Sequence, residues 1–311
     1  MRIAFIDKVH DILKNRLESA GMICVDLTGF SLSEIINEVK DYDGIVIRSR
    51  FPVDKTFLSQ ASKLKFIARS GAGMENIDLP YCKANDIKLF NAPEGNRNAV
   101  GEHALGMLLS LFNNLKKGDV EIRNGIWDRE GNRGVELDGK TVGIIGYGNN
   151  GSAFAKKLRG FDVKVLAYDK YKTGFGNNNV VESSMAQLFS EADIISFHIP
   201  QNDETLFMAN DIFLNSFKKD IYLINLARGK IVDTISLVNN LKSGKIKGAC
   251  LDVLEFEKGS FENMFESKSD IPNSFNYLLN SDKVLLSPHV GGWTLESYFK
   301  LSNVLAVKNL R

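Results

Sequence analysis

The chain has 311 residues, a length that at roughly 100 to 200 residues per domain predicts two compact units. Hydrophobic residues make up 44% and charged residues 25%, the balance of a folded globular protein, which excludes wholesale disorder and low-complexity polymers. Lysine plus arginine total 39 against 38 for aspartate plus glutamate, so there is no global field to hold nucleic acid or an anionic membrane, and any anion must be bound locally.

The three cysteines, Cys24, Cys82 and Cys250, are widely spaced in apolar stretches. They fit neither a disulfide framework nor a zinc pattern, and no metal site is expected. The N-terminus has one basic residue, Arg2, followed by only four apolar ones, which is not the apolar region of a secretory signal. No run approaches the ~18 apolar residues of a membrane span. A cytoplasmic protein without membrane partners is expected.

Short apolar runs alternate with stretches of helical spacing, the signature of parallel α/β architecture. Strands are predicted at Ile3 to Ile6, Ile23 to Asp26, Gly44 to Ile47, Phe66 to Ala68 and Lys88 to Phe90. Helices are predicted between them at Asp11 to Ala20, Ser33 to Lys40 and Asp54 to Ala61, the second opening on Ser31-Leu32-Ser33-Glu34. One long helix is predicted over Asn98 to Asn124, bridging two domains. A second strand series then runs through Thr141 to Ile145, Val163 to Ala167, Asp193 to Phe197, Ile221 to Asn225, Gly248 to Asp252 and Val284 to Leu286. A last helix, Thr294 to Arg311, is too short to be a domain and must pack on one of the units. The fold class is therefore α/β with two doubly wound parallel-sheet, Rossmann-like domains.

Gly146-Tyr147-Gly148-Asn149-Asn150-Gly151 places G-x-G-x-x-G directly after a buried strand and at the opening of a helix expected from Ser152 to Leu158. Gly146 allows the tight turn, Gly148 lets a pyrophosphate approach the backbone, and Gly151 permits close helix-to-strand packing, while the helix N-terminus offers N–H groups and partial positive charge. The next strand ends at Asp169, 18 residues after Gly151, where a carboxylate can accept from the adenosine ribose hydroxyls. Its charge would repel the 2′-phosphate of NADP, so NAD is the expected cofactor, with Lys170 and Lys172 nearby as the opposing consideration.

Hydride transfer at a carbonyl needs a proton donor or acceptor for the oxygen and a cation for a substrate carboxylate. Of the four histidines, His10 and His103 sit in helical contexts and read as structural, whereas His198 and His289 follow apolar strands beside prolines. Strand ends in this fold face the ligand crevice.

Taken with Ser70-Gly71-Ala72-Gly73-Met74-Glu75-Asn76, Asn91-Ala92-Pro93-Glu94, Asn225-Leu226-Ala227-Arg228-Gly229, Leu251-Asp252 to Glu257 and Ser287-Pro288-His289-Val290-Gly291-Gly292, these residues resemble the NAD-dependent D-2-hydroxyacid dehydrogenases, in particular their phosphoglycerate dehydrogenase branch. The resemblance covers nearly the whole chain. It implies a flavodoxin-like substrate domain of residues 1–97 plus 288–311, an NAD-binding domain of 98–287, and a homodimer built around the latter through the segment Asn98 to Val135.

The resemblance also implies a catalytic triad of Arg228, Glu257 and His289. His289 would exchange the proton of the substrate oxygen, Glu257 would hold its ring and stabilise the charged form, and Arg228 would offer a planar fork to the substrate. Glu255, two residues before Glu257, competes for the carboxylate role. Lys258 replaces the proline usual after the glutamate, and Lys258 to Tyr277 is expected to be an inserted loop. Cofactor contacts are implied at Asn149 and Asn150, at Ile199, Pro200 and Thr205, at Leu226, Ala227 and Arg228, at Asp252 facing the nicotinamide amide, and at His289 and Gly291. Asn149-Asn150 departs from the more usual Arg-Ile pair. The backbone of Ser70, Gly71, Ala72 and Gly73 would cradle the substrate carboxylate, with Asn76 supporting that loop.

For the substrate, Arg48 and Arg50 flank Ser49 at the end of a strand, and since side chains at i and i+2 share a strand face the two point together if the strand extends that far, whereas a loop would part them. In the resemblance such a pair clamps a phosphate, which favours 3-phosphoglycerate and serine biosynthesis. Lactate, glycerate, glyoxylate and hydroxypyruvate are the alternatives. The chain ends 22 residues after His289, and the regulatory C-terminal domain of some relatives is not expected. A corepressor-like protein that senses NADH is the alternative from a different functional class.

Overall fold

The computed structural model describes residues 1–257 and 271–309. They divide into two compact units, 1–97 with 293–309 and 98–257 with 271–292. The return to the first unit thus falls at Trp293, not at 288, and the loop that carries His289 belongs to the second unit.

The first unit alternates β1 (Arg2–Phe5), α1 (Ile12–Ser19), β2 (Ile23–Asp26), α2 (Leu32–Glu38), β3 (Gly44–Ile47), α3 (Lys55–Leu58), β4 (Phe66–Arg69), α4 (Leu79–Ala84) and β5 (Lys88–Asn91). The five strands are all parallel, in the order β2-β1-β3-β4-β5. Strand alternation sorts the core: Ala4 and Ile6 pack on one face with Ile35, Ile45 and Ile67, while Ile3 and Phe5 pack on the other with Leu13, Leu17 and Val46. The second face is closed by the C-terminal helix α12 (Leu295–Asn309) through Leu301, Leu305 and Ala306. At α2, Ser31 and Glu34 form a reciprocal capping box, as their spacing predicts.

The boundary between the units falls inside α5 (Pro93–Phe112). The expected single helix to Asn124 is two: α5 ends at Phe112, and α6 (Leu115–Arg123) restarts after Asn114, which adopts the left-handed φ of 51°. Asn113 and Asn114 supply the break, since asparagine enters the left-handed region more readily than other non-glycine residues.

The second unit continues β6 (Thr141–Ile145), α7 (Asn149–Lys157), β7 (Lys164–Tyr168), β8 (Val181–Glu182), α8 (Met185–Glu191), β9 (Ile194–Phe197), α9 (Asp211–Asn215), β10 (Ile221–Asn225), α10 (Thr234–Ser243), β11 (Ile246–Leu251), α11 (Asn273–Asn280) and β12 (Val284–Leu286). Seven parallel strands lie in the order β12-β11-β10-β9-β6-β7-β8. Continuous apolar runs such as Ile194-Ile195 are buried on both sides, as a doubly covered parallel sheet requires. Of the expected insertion, 258–270 lies outside the described residues and 273–277 opens α11. No described helix is long and apolar enough to cross a membrane.

Leu305 is fully buried. Leu305→Ala is expected to destabilise the protein by about 2–5 kcal/mol in urea unfolding, and a loss well under 1 kcal/mol would mean that α12 is not part of the first unit's core.

Candidate functional site

In the second unit the glycine motif is built by sterics. Gly146 takes φ 92°, and a Cβ there would lie 2.6 Å from the His198 carbonyl oxygen and 2.8 Å from Ile199. At Gly151 a Cβ would fall 2.0 Å from the Gly146 carbonyl oxygen. Gly148 is the reverse case: nothing lies within 4 Å of its would-be Cβ, the clearance a pyrophosphate needs. Helix α7 begins at Asn149, three residues before the expected Ser152, so Asn149 and Asn150 form its first turn, and no side chain caps it. Both facts fit a dinucleotide. Asp169, beyond β7, accepts from the N–H of Tyr147 at 2.8 Å through Oδ2 and from those of Tyr171 and Lys172 at 2.9 and 3.1 Å through Oδ1. The loop after β9 is closed by Thr205, whose Oγ1 donates to the Pro200 carbonyl at 2.7 Å.

The same unit brings Glu257 and His289 together. Glu257 Oε2 lies 2.7 Å from His289 Nδ1, and its Oε1 accepts from the Leu254 N–H. Glu255 is engaged elsewhere: its Oε2 accepts from the N–H of Thr234 at 3.1 Å, at the start of α10. Arg228 follows β10 and the buried Leu226 and Ala227. Its turn is fixed by Asn225, whose Nδ2 donates to the Arg228 carbonyl at 2.9 Å and whose Oδ1 accepts from the Ala227 N–H at 3.1 Å. Arg228 Nη1 donates to the Ala227 carbonyl at 2.6 Å. The other proline-flanked histidine, His198, has a buried Nδ1 without a hydrogen-bond partner among the described residues, and Ser196 Oγ sits 2.8 Å from its Nε2. Burial pushes its pKa down to about 3, so it stays neutral and cannot cycle a proton near neutrality.

Asp252, only 2% exposed, is committed to the His289 loop. Its Oδ1 accepts from Ser287 Oγ at 2.6 Å and the Val290 N–H at 2.9 Å, its Oδ2 from the Gly291 N–H at 2.8 Å, and its carbonyl from the His289 N–H at 2.8 Å. His103 Nε2 lies 2.9 Å from Ser287 Oγ and 3.5 Å from Asp252 Oδ1. Burial alone would raise the Asp252 pKa, but the hydrogen bonds from His103, Ser287, Gly291 and Val290 outweigh it and hold it below the usual carboxylate value. The stabilisation this brings is full above the unfolded pKa of about 4 and is lost as pH falls through the lower folded value. His103 and Ser287 were not among the expected site residues. Ser287, two positions before His289, was the available signal; the helical context of His103 concealed its partner.

In the first unit, the loop from Ser70 to Asn76 leaves the carboxyl end of β4. Ser70 N–H donates to the Ile47 carbonyl at 2.8 Å, Asn91 Nδ2 donates to the Ala72 carbonyl at 2.6 Å, and Asn76 Nδ2 donates to the Arg48 carbonyl at 3.2 Å. The Arg69 guanidinium occupies the space beside Gly71, where a Cβ would meet its Nη1 at 1.5 Å, so a larger residue there would have to displace that side chain. Ala72 and Gly73 remain partly exposed. The two arginines after β3 part company. The strand ends at Ile47, so Arg48 and Arg50 do not share a strand face. Arg50 Nη1 donates to the Ile6 and Leu27 carbonyls at 2.9 and 3.4 Å, and Nη2 to the Phe30 carbonyl. Arg48 instead lies over the Trp293 ring, 3.8 Å from its centroid.

Residues 105–291 match the family model described as D-isomer specific 2-hydroxyacid dehydrogenase, NAD binding domain. The chain belongs to that family. It is 31% identical over 308 residues to a D-3-phosphoglycerate dehydrogenase of Archaeoglobus fulgidus, covering 98% of this chain but 56% of that protein, so it spans little more than half of that relative's length. It is 34% identical to a glyoxylate reductase of Thermofilum pendens, over 90% of this chain and 80% of that one. The structure of an Aquifex aeolicus D-lactate dehydrogenase, complexed with NAD and lactic acid, superposes with a TM-score of 0.82 at 28% identity, covering 100% and 95% of the two chains.

The cofactor of this dehydrogenase-family chain is NAD. Beside Asp169, Lys170 Nζ is held 2.7 Å from Glu204 Oε2, which also accepts from Tyr171 Oη at 2.6 Å. Lys172 Nζ donates weakly to the Tyr147 carbonyl at 3.4 Å. Asp169→Ala is expected to weaken NADH binding about tenfold, the worth of hydrogen bonds to a charged acceptor, and Glu204→Gln to raise affinity for NADPH by releasing Lys170. Fluorescence titration checks both, and unaltered NADH affinity in Asp169→Ala would remove that carboxylate from the ribose site.

Proposed function

We propose that the chain is an NAD-dependent dehydrogenase of D-2-hydroxyacids whose substrate is D-3-phosphoglycerate, oxidised to 3-phosphohydroxypyruvate in serine biosynthesis. The observation that carries the reaction class is the 2.7 Å contact between Glu257 and His289 Nδ1, a carboxylate-oriented imidazole of the kind used for proton exchange at a substrate oxygen. Bound NAD supplies the two-electron redox chemistry. With Nδ1 committed to Glu257, His289 takes the hydroxyl proton through Nε2 in oxidation and returns it in reduction. Glu257 stabilises the imidazolium and fixes which nitrogen carries the proton. Arg228, its turn set by Asn225, presents a planar fork suited to the substrate carboxylate and the reacting oxygen. In the first unit the N–H groups of Ala72 and Gly73, on a loop pinned by the hydrogen bond from Asn91 to the Ala72 carbonyl, are donors suited to a carboxylate.

The phosphorylated substrate is supported by Arg48 and by the relatives that bear the phosphoglycerate dehydrogenase name. A second reading, reduction of glyoxylate or hydroxypyruvate, is favoured by Arg50, whose guanidinium is tied to carbonyls and leaves half of a two-arginine clamp. The reading includes a homodimer, supported by the apolar residues Leu115, Val120, Ile122, Ile126 and Trp127, which stand 50–80% exposed on and after α6. A cytoplasmic setting is supported by three free cysteines, Cys82 and Cys250 among them buried.

Absorbance at 340 nm with NAD and 3-phosphoglycerate, and with NADH and a panel of 2-oxoacids, tests the function; tight NADH binding without turnover of any acid would favour a nucleotide sensor. His289→Ala and Glu257→Gln are each expected to lower kcat by roughly 10² or more. Glu255→Gln, whose amide oxygen still accepts from the Thr234 N–H but which loses the negative charge at the start of α10, is expected to cost at most about 1 kcal/mol of stability while leaving kcat within a factor of about two. The reverse ranking of the two glutamates would exchange their roles.

A further inference from the structure

Arg48 stands one residue beyond β3, and β3 lies beside β1 in the order β2-β1-β3. That is the switch point of the first sheet, where open α/β sheets bind ligands outside the strands' carboxyl ends. Its backbone is fixed from two sides. Asp7 Oδ2 accepts the N–H groups of Arg48, Ser49 and Arg50 at 2.6, 3.1 and 3.3 Å, and Asn76 holds the Arg48 carbonyl. Asp7 is thereby occupied with peptide N–H groups, and among the described residues no carboxylate or carbonyl takes the Arg48 fork. The side chain is held by an aromatic face, Trp293 at 3.8 Å from the guanidinium carbon. Trp293 in turn meets the edge of Tyr298, whose ring packs against His10, and His10 against Phe299, an aromatic row on the start of α12.

We propose that Trp293 is the positioning residue that holds Arg48 as the anchor for a second anionic group on the substrate, so that the chain prefers 2-hydroxyacids with a distal phosphate or carboxylate over those without. This rests on the dehydrogenase reading given above. An arginine paired with a carboxylate gives up both its charge and its in-plane donors; one stacked on an indole keeps both, because the contact uses only the face of the guanidinium. The indole also removes rotamer freedom from a long side chain, so the fork is ordered before the anion arrives. Burial presses on the Arg48 charge while Asp7 and the Tyr298 side chain counter it, which makes an external anion welcome.

The chain has two tryptophans, so in a Trp127→Phe background Trp293 is the sole indole. Its emission is expected to change on titration with 3-phosphoglycerate or D-malate and not with D-lactate, and the response is expected to vanish in the same background with Arg48→Gln. The size of the malate response against the phosphoglycerate response tells a carboxylate-preferring anchor from a phosphate-preferring one. In steady-state assays Trp293→Leu is expected to raise KM for 3-phosphohydroxypyruvate relative to KM for hydroxypyruvate about tenfold, the worth of a partly desolvated cation–π contact, with kcat much less affected, and Trp293→Phe to restore the ratio. An emission blind to both double anions, or a KM ratio unmoved in Trp293→Leu, overturns the proposal. Absence of turnover with every acid alongside an intact emission response would instead overturn the dehydrogenase reading and leave the anion anchor standing.

Discussion

A buried charge organises the second unit of the molecule. Asp252 is nearly inaccessible, and a carboxylate in that setting costs several kcal/mol unless its lone pairs are filled. The donors that fill them are Ser287 Oγ and the N–H groups of Val290 and Gly291, the residues that bracket His289. Compensating the charge and shaping the loop are therefore one requirement. The loop needs that enforcement, because His289 has φ 54°, a left-handed conformation that costs a side-chain-bearing residue about 1–2 kcal/mol. Gly291 meets the same constraint from the other side: a Cβ there would lie 2.8 Å from Asp252 Oδ2.

Prior hydrogen-bond commitments also sort residues that are chemically equivalent in the sequence. Glu255 and Glu257 are two positions apart, yet one accepts from the start of α10 and the other from an imidazole. His198 and His289 both follow strands beside prolines, but burial holds His198 neutral while His289 sits against a carboxylate. Arg48 and Arg50 share a turn, and only one has its fork taken by carbonyls. In each pair the residue type is the same, and the difference lies in burial and in which backbone or side-chain groups lie within 3.5 Å.

Strand positions were legible because burial on both faces leaves continuous apolar runs such as Ile194-Ile195 and Ile221 to Ile224, which no helix of that length would carry alone. The glycine motif was legible because sterics leave no substitute at Gly146 or Gly151. What was not legible involved local conformation without a compositional signal. The α5–α6 break turns on one asparagine in the left-handed region within an otherwise helical pattern. The early start of α7 turns on Asn149 and Asn150, weak helix formers held by the turn before them. β8, with two residues, is too short for any period to register. Arg48 and Arg50 would share a strand face only if β3 ran on to Arg50, and where a strand stops carries no mark in this stretch of sequence; it stops at Ile47.

The near-zero net charge then has a structural counterpart in how anions are met. At α7 the N-cap is Gly148, which brings no capping side chain and has open space where a Cβ would stand. In the 70–76 loop Asn91 donates to the Ala72 carbonyl, which orients that peptide without using up the N–H groups of Ala72 and Gly73. At Arg48 an indole takes the place a carboxylate would usually hold, and Asp7 is turned onto backbone amides. Each arrangement preserves donors for an incoming anion while avoiding an excess of positive side chains, so the attraction is short-ranged and geometric instead of long-ranged. A single planar fork accepts a carboxylate as readily as a phosphate. Discrimination at that end of the substrate therefore falls on how rigidly the fork is aimed, and in this chain that is set by the face of Trp293.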